Sequence, residues 1–178
     1  MSSTDVSNFP SFLELSRAWE DAITQFFSMM LDEKVKLLSE RDLRKDNPEK
    51  PVVVGSGDAS RGARVVSAVG MAGDMEGVAY YDLPESLAIY VTSKMMSLET
   101  SECGHEFVND ALGELANMAT GSFKNQFVAR GLECRLTIPS LIRGSCFSIE
   151  AASAVDCYHY TFQVSEQVFD LYLTIKPA

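Results

Sequence analysis

Five residues in the stretch "CGHEFVNDALGELANMATGSFKNQF", Cys103 to Phe127, stand at helical spacing: Asp110, Glu114, Asn117, Gly121 and Lys124. At about 100° per residue they fall within about 80° of arc, so two acids, an amide, a glycine and an ammonium share one row. The amide is the informative member. It cannot act as a base near neutral pH, but its oxygen accepts a hydrogen bond from water and its nitrogen donates one. That is a capacity to orient a water rather than to move a proton. A carboxylate one turn earlier can meet a cation, and a glycine one turn later leaves room for a second surface to come close.

The plain alternative is a solvated helix face, where charged residues usually go. Two features weigh against it. Gly113 and Gly121 each cost up to about 1 kcal/mol relative to alanine in a helix interior, and Gly121 stands on the polar row itself. Asn117 is also a poor mid-helix residue, because its amide competes for backbone hydrogen bonds. Glu, Lys or Gln would serve a merely wet face better.

The elements around the row must hold it still. Ala111, Leu112, Leu115, Met118, Ala119 and Phe123 cover the other side of the helix and predict packing against a sheet. Upstream, "PSFLELSRAWEDAITQFFSMML" predicts a second helix with Pro10 in its first turn. Its Phe12, Leu15, Trp19, Ile23, Phe26, Phe27 and Met30 recur at three and four. "EKVKLL" reads as a short strand, and "SERDLRKDNPEKP" as an exposed connection. "ARVVSAVGM" and "GVAYYDL" flank the turn "AGDMEG" and predict a hairpin. "PESLAIYVTSKMMS" follows as a helix with Leu87, Ala88, Val91 and Met95 on one stripe.

The last third is β-rich: "LECRLTI", "SCFSIE", "VDCYHYTFQV" and "QVFDLYLTI". In the final run Phe169, Leu171, Leu173 and Ile175 alternate with Asp170, Tyr172 and Thr174, which predicts a half-buried antiparallel strand. The expected fold is therefore α+β and two-layered, with long helices packed on one face of a largely antiparallel sheet. Residues 1–8 are expected to be a loose N terminus, and 9–178 a single domain.

Composition narrows the function. The chain has 178 residues, 46% of them hydrophobic, and a net charge of −10. That acidity argues against a general nucleic-acid binder and against an anionic membrane surface, and leaves small molecules and proteins as partners. No apolar run reaches the roughly 18 residues a membrane span needs. The start, "MSSTDVSNFPSF", lacks the basic and apolar blocks of a secretion signal. Cys103, Cys134, Cys146 and Cys157 form no C-x-x-C pair, and the three later ones fall in strand-like stretches. They read as reduced thiols of a cytoplasmic protein. His159 is expected to face solvent, opposite Tyr158, Tyr160 and Phe162. "GSGDASRG" lacks the ending of a phosphate loop and reads as a plain loop.

The run Asp110-x-x-x-Glu114-x-x-Asn117, followed by Pro139 in "LTIPSLIRG", resembles the signature of the CheC/CheX/FliY chemotaxis phosphatases. "DALGELANMATGSFKN" and the upstream "AVGMAGDMEGVAYYDLPESLA" are similar to that family's signature helix and hairpin-plus-helix. With one copy of the motif the chain looks most like CheX. The resemblance implies dephosphorylation of the aspartyl-phosphate of a CheY-like response regulator in bacterial chemotaxis. It implies that Asn117 orients the attacking water and Glu114 pairs with the regulator's active-site lysine. Asp110 and Pro139 hold the remaining motif positions, in support. Gly121 and Lys124 would extend the partner-binding face. The Mg²⁺ would belong to the regulator, with no metal or cofactor on this chain, and a homodimer is implied.

In-line attack on a phosphoryl group mostly needs positioning and charge neutralisation, which suits such a row. Two other readings compete. The same helix could dock on a phosphorylated receiver domain without hydrolysing it, in which case Asn117 would have no special task. A metal-dependent hydrolase using Asp110, Glu114 and His105 is a poorer fit, since His105 lies about 140° from Asp110 around the helix. Cys103 and His105 alone make a weak metal signal.

Overall fold

The computed structural model describes residues 8–46, 53–54, 59–150 and 155–177. Helix α1 spans Phe12–Leu31 and is followed by strand β1, Val35–Asp42, and a single helical turn α2, Leu43–Asp46. Strand β2 is Val53–Val54. The long hairpin β3, Arg64–Gly73, and β4, Met75–Pro84, leads into helices α3, Glu85–Met96, and α4, His105–Asn125. The remaining strands are β5 (Cys134–Leu136), β6 (Ser140–Gly144), β7 (Ile149–Glu150), β8 (Asp156–Val164) and β9 (Gln167–Pro177).

Seven strands form one antiparallel sheet in the order β1-β8-β9-β4-β3, with β5 and β6 both paired to the far edge of β3. β2 and β7 pair separately. The three long helices share a core with the inward residues of this sheet: Trp19, Leu87, Leu115 and Phe123 with Val69, Tyr81, Tyr160 and Leu171 are all buried. The two-layer α+β expectation therefore holds.

Helix α1 begins where Ser11 caps it, its backbone N–H donating to Glu14 at 2.8 Å. Pro10 stands before the cap rather than in the first turn. The α1 face seats Trp19 flat on Phe123 of α4, with ring centroids 4.1 Å apart. Gln126 donates to the Ala18 carbonyl and Ser122 to Gln25, so the two helices run antiparallel.

The expected connection at 39–51 is partly regular. Ser39–Asp42 completes β1, and Leu43–Asp46 is helical, while 47–51 lies outside the described residues. The hairpin turn falls at "AGDMEG" as expected: β3 and β4 pair as far as Met71 opposite Gly77, and the strand residues nearer Asp74 pair with β5 and β9 instead. Gly77 of β4 is required there: a Cβ would lie 1.9 Å from the Thr174 carbonyl oxygen. Residues 1–7 of the expected loose terminus lie outside the described set, and Asn8 donates to the Arg130 carbonyl at 2.6 Å. Residues 55–58 of "GSGDASRG" are likewise outside it, and Ala59–Arg61 forms a 3-10 turn.

Strand β9 is not half-buried. Every residue from Phe169 to Ile175 is buried, on both faces of the sheet. The second face is closed by an ion network instead of helices. Arg64 donates to Asp82 at 2.7 Å, Arg61 bonds Asp170 at 2.5 Å, and His159 lies 2.8 Å from Asp170. Burial pushes the Asp170 carboxyl up, but His159 and then Arg61 outweigh it and hold it below the usual value. His159 also stacks on Tyr172 at 4.4 Å and is 18% exposed, so it is a structural residue and not a solvent-facing one. Cys103, Cys134 and Cys157 are buried and Cys146 is exposed, in a bend rather than a strand. None of the four is in a disulfide.

Candidate active face on helix α4

Helix α4 is held from behind at the level of Asn117. The Tyr81 hydroxyl of β4 lies 2.7 Å from Thr120 Oγ1 and donates to the Ala116 carbonyl at 3.4 Å. Burial pushes the Tyr81 phenol far up, so it stays protonated. Trp19 and Phe123 pack one turn further on. These contacts fix the helix's rotation, which sets where the polar row points.

The row faces outward as expected. Asp110 and Glu114 are exposed, and Asn117, Gly121 and Lys124 are half-buried. Among the described residues Asp110, Glu114 and Asn117 have no hydrogen-bond or ion-pair partner. Two carboxylates and an amide on a rigid helix are therefore left free to bind something outside the chain. Met118 departs from the expectation: it is 36% exposed instead of packing on the sheet. Neighbouring α1, not the sheet, borders this flank of α4.

Pro139 joins the row through space. After β5 the chain stays beside the edge of β3, where Thr137 and Gly70 exchange two bonds: Thr137 N–H donates to the Gly70 carbonyl, and Gly70 N–H to Thr137 Oγ1, each at 2.9 Å. The following turn lays Pro139 over Gly113, whose added Cβ would lie 3.9 Å from the proline ring. Gly113 thus belongs to the close approach of this segment, not to the polar row. Strand β6 then continues along the same edge of β3 in the same direction as β5, and its Arg143 donates to Asn109 Oδ1 at 2.6 Å and to the His105 carbonyl at 3.3 Å. That ties the Pro139 segment to the first turns of α4.

The outcome is a shallow depression lined by Asn109, Asp110, Gly113, Glu114, Asn117, Pro139 and Leu141. All four motif residues, Asp110, Glu114, Asn117 and Pro139, meet there. Asn109 and Leu141 were missed from the sequence, although Leu141 is two residues beyond Pro139 in an alternating run. Asn117 also borders a second depression between α1 and α4, together with Phe26, Met29, Met118 and Gly121. Lys124 lines neither depression. Among the described residues no three His, Cys, Asp or Glu side chains are grouped as metal ligands, and the carbonyl of His105 is engaged by Arg143.

Helices packed on one face of an antiparallel sheet are the fold this chain shares with CheC-like and CheX structures. A CheC-like protein from Shewanella sp. PV-4 superposes with a TM-score of 0.73 at 21% identity, over 92% of this chain and 98% of that one. The chain belongs to the CheX family: the profile "Chemotaxis phosphatase CheX" matches residues 65–163, more than half the chain. The chain is similar to the CheY-P phosphatase CheX of Thermotoga maritima, 28% identical over 112 residues, 63% of this chain and 72% of the relative. Among solved structures, CheX of Desulfovibrio desulfuricans superposes with a TM-score of 0.73 at 18% identity, covering 92% and 99%. The CheX–CheY–BeF3–Mg²⁺ complex of Borrelia burgdorferi gives 0.62 at 18%, covering 93% and 98%. No helix among the described residues is long and apolar enough to cross a membrane.

Proposed function

We propose that this chain hydrolyses the aspartyl-phosphate of a CheY-like receiver domain. The observation that carries the reading is the free Glu114–Asn117 pair on a helix immobilised by Tyr81, in a member of the CheX family. The helix face enters the receiver's phosphorylation pocket. Asn117 Oδ1 accepts a hydrogen bond from a water and sets its oxygen in line with the phosphorus–oxygen bond to be broken. The water oxygen attacks phosphorus, the receiver's aspartate leaves as a carboxylate, and the water's proton leaves with the phosphate. Glu114 pairs with the receiver's lysine, and the receiver supplies the Mg²⁺ that neutralises phosphoryl charge. Asp110 and the Pro139 segment shape the face around them, and Gly121 and Lys124 continue it.

We assign the protein to the cytoplasm, consistent with cysteines that form no disulfide. We further expect it to act as a homodimer, because among the described residues no strand pairs the outer edge of β1, which a second sheet can cover. The deciding experiment is phosphate release from phosphorylated receiver domains, with wild type and Asn117→Ala. Wild type should accelerate release, and Asn117→Ala should bind the receiver but lose on the order of 10²-fold in turnover. If both bind and neither accelerates release, the face is a docking module and not an active one.

A further inference from the structure

The second depression, on the other flank of Asn117, is unlike the first. It holds about 380 Å³ between α1 and α4, with Phe26 as a floor only 3% exposed. Met29 and Met118 stand over it, 70% and 36% exposed. Its edge is polar, where Ser122 donates to Gln25 at 2.8 Å and ties the helices together. An apolar centre inside a polar rim is the usual layout of a protein-contact hot spot. Methionine suits such a place because its thioether adapts to the shape that enters.

Gly121 gives a second, independent sign. A Cβ there would meet nothing within 4 Å, so no packing within the described chain calls for glycine. Yet glycine costs roughly 1 kcal/mol relative to alanine in a helix interior. The room it leaves opens into this groove. Because Asn117 borders both depressions, whatever covers the amide also covers the start of the groove.

We propose that the α1–α4 groove receives an apolar side chain of the same receiver domain, from the rim of its phosphorylation pocket opposite the lysine met by Glu114. This rests on the function proposed above. The receiver is thus gripped on both sides of Asn117, by charge at Glu114 and by apolar contact at Met29 and Met118. The groove accommodates one or two side chains, far less than the roughly 1,200 Å² of a stable interface. It is therefore one contact within a larger docking surface and not the seat of a dimer.

The test uses a receiver domain carrying beryllofluoride at its aspartate, titrated with wild type, Met29→Glu, the double variant Met29→Glu/Met118→Glu, and Met30→Glu. Met30 is exposed on the same helix but does not line the groove. The double variant should raise Kd by about 10-fold or more, and Met29→Glu alone by several-fold. Turnover of the double variant at saturating receiver should stay within about two-fold of wild type, and leucine at both positions should restore affinity. Met30→Glu should bind as wild type does. If the double variant binds with wild-type Kd, the groove has no part in docking. If instead it converts a wild-type dimer to a monomer in sedimentation, the groove seats a second copy and the proposal falls. If wild type itself binds no charged receiver, the proposed function fails along with the groove's occupant.

Discussion

Tyr81 of β4 and Thr120 of α4 hold their hydroxyl oxygens 2.7 Å apart in the core, three residues beyond Asn117. The same phenol reaches the carbonyl of Ala116, so it brackets Asn117 from behind. Tyr81→Phe removes both bonds and leaves the ring's packing on Trp19. We expect a loss of about 1 kcal/mol in stability. We also expect a fall in turnover at saturating receiver with little change in Kd, since a loosened helix misplaces the water without removing the docking surface. Equal turnover would mean that the helix is positioned by other contacts.

Glu114 is exposed and free, so replacing it should leave the fold within about 0.5 kcal/mol of wild type. Glu114→Ala should weaken binding to a phosphorylated receiver, and Glu114→Lys should weaken it by 10-fold or more because like charges then face each other. Raising the salt concentration should narrow the gap between wild type and Glu114→Lys. A titration in which Glu114→Lys binds as well as wild type would remove the lysine pairing from the mechanism.

Asp82 tests the other face of the sheet. Its side chain is 1% exposed and accepts from Arg64 Nε, whose guanidinium is itself buried. Burial pushes the Asp82 carboxyl up while Arg64 and Arg61 pull it down. Asp82→Ala strands the Arg64 charge, with Asp170 at 3.6 Å as its remaining carboxylate, and should cost about 3 to 5 kcal/mol. Adding Arg64→Met to that variant should recover part of the loss. Urea melts of the three proteins decide it, and a double variant no more stable than Asp82→Ala would contradict the network's role.

Acid stability has an identifiable component at the start of α1. Arg130 donates to Glu14, and the Ser11 N–H adds a second bond, holding the Glu14 carboxyl at about 2 instead of 4.5. A folded value below the unfolded one adds stability above pH 4.5 and loses it as pH falls towards 2. Arg130→Ala should therefore lower Tm at pH 6 and shrink the difference from wild type as pH approaches 2. Parallel Tm–pH curves for the two proteins would show that the pair contributes nothing.

The outward face of α4 was legible in the sequence because its signals are local. A helix of 21 residues repeats its period often enough to fix which face Asp110, Glu114 and Asn117 share. Met118 was misread because it sits at the boundary of that face, where the neighbouring element decides burial and periodicity cannot name the neighbour. Strand β6 escaped notice because "SLIRG" is short, follows a proline and carries an arginine, and its pairing partner β3 lies far back in the chain. The burial of Asp170, Tyr172 and His159 was illegible for a similar reason. Asp170 is compensated by Arg61, 109 residues away, and no pattern within β9 encodes that meeting.

Asn117 and Glu114 stand on the convex side of a helix, above a depression that is open to solvent. Such a surface cannot enclose a small acyl phosphate: water would solvate it from above, and among the described residues no cation lines the depression beside Asn117. Acetyl phosphate and similar metabolites should accordingly pass this protein untouched, although they carry the same bond. On the function proposed above, the chain holds only half of a reaction centre, and the other half arrives with the receiver. Selectivity then lies in protein shape rather than in phosphate chemistry, which lets the phosphatase share a compartment with labile high-energy phosphates without draining them.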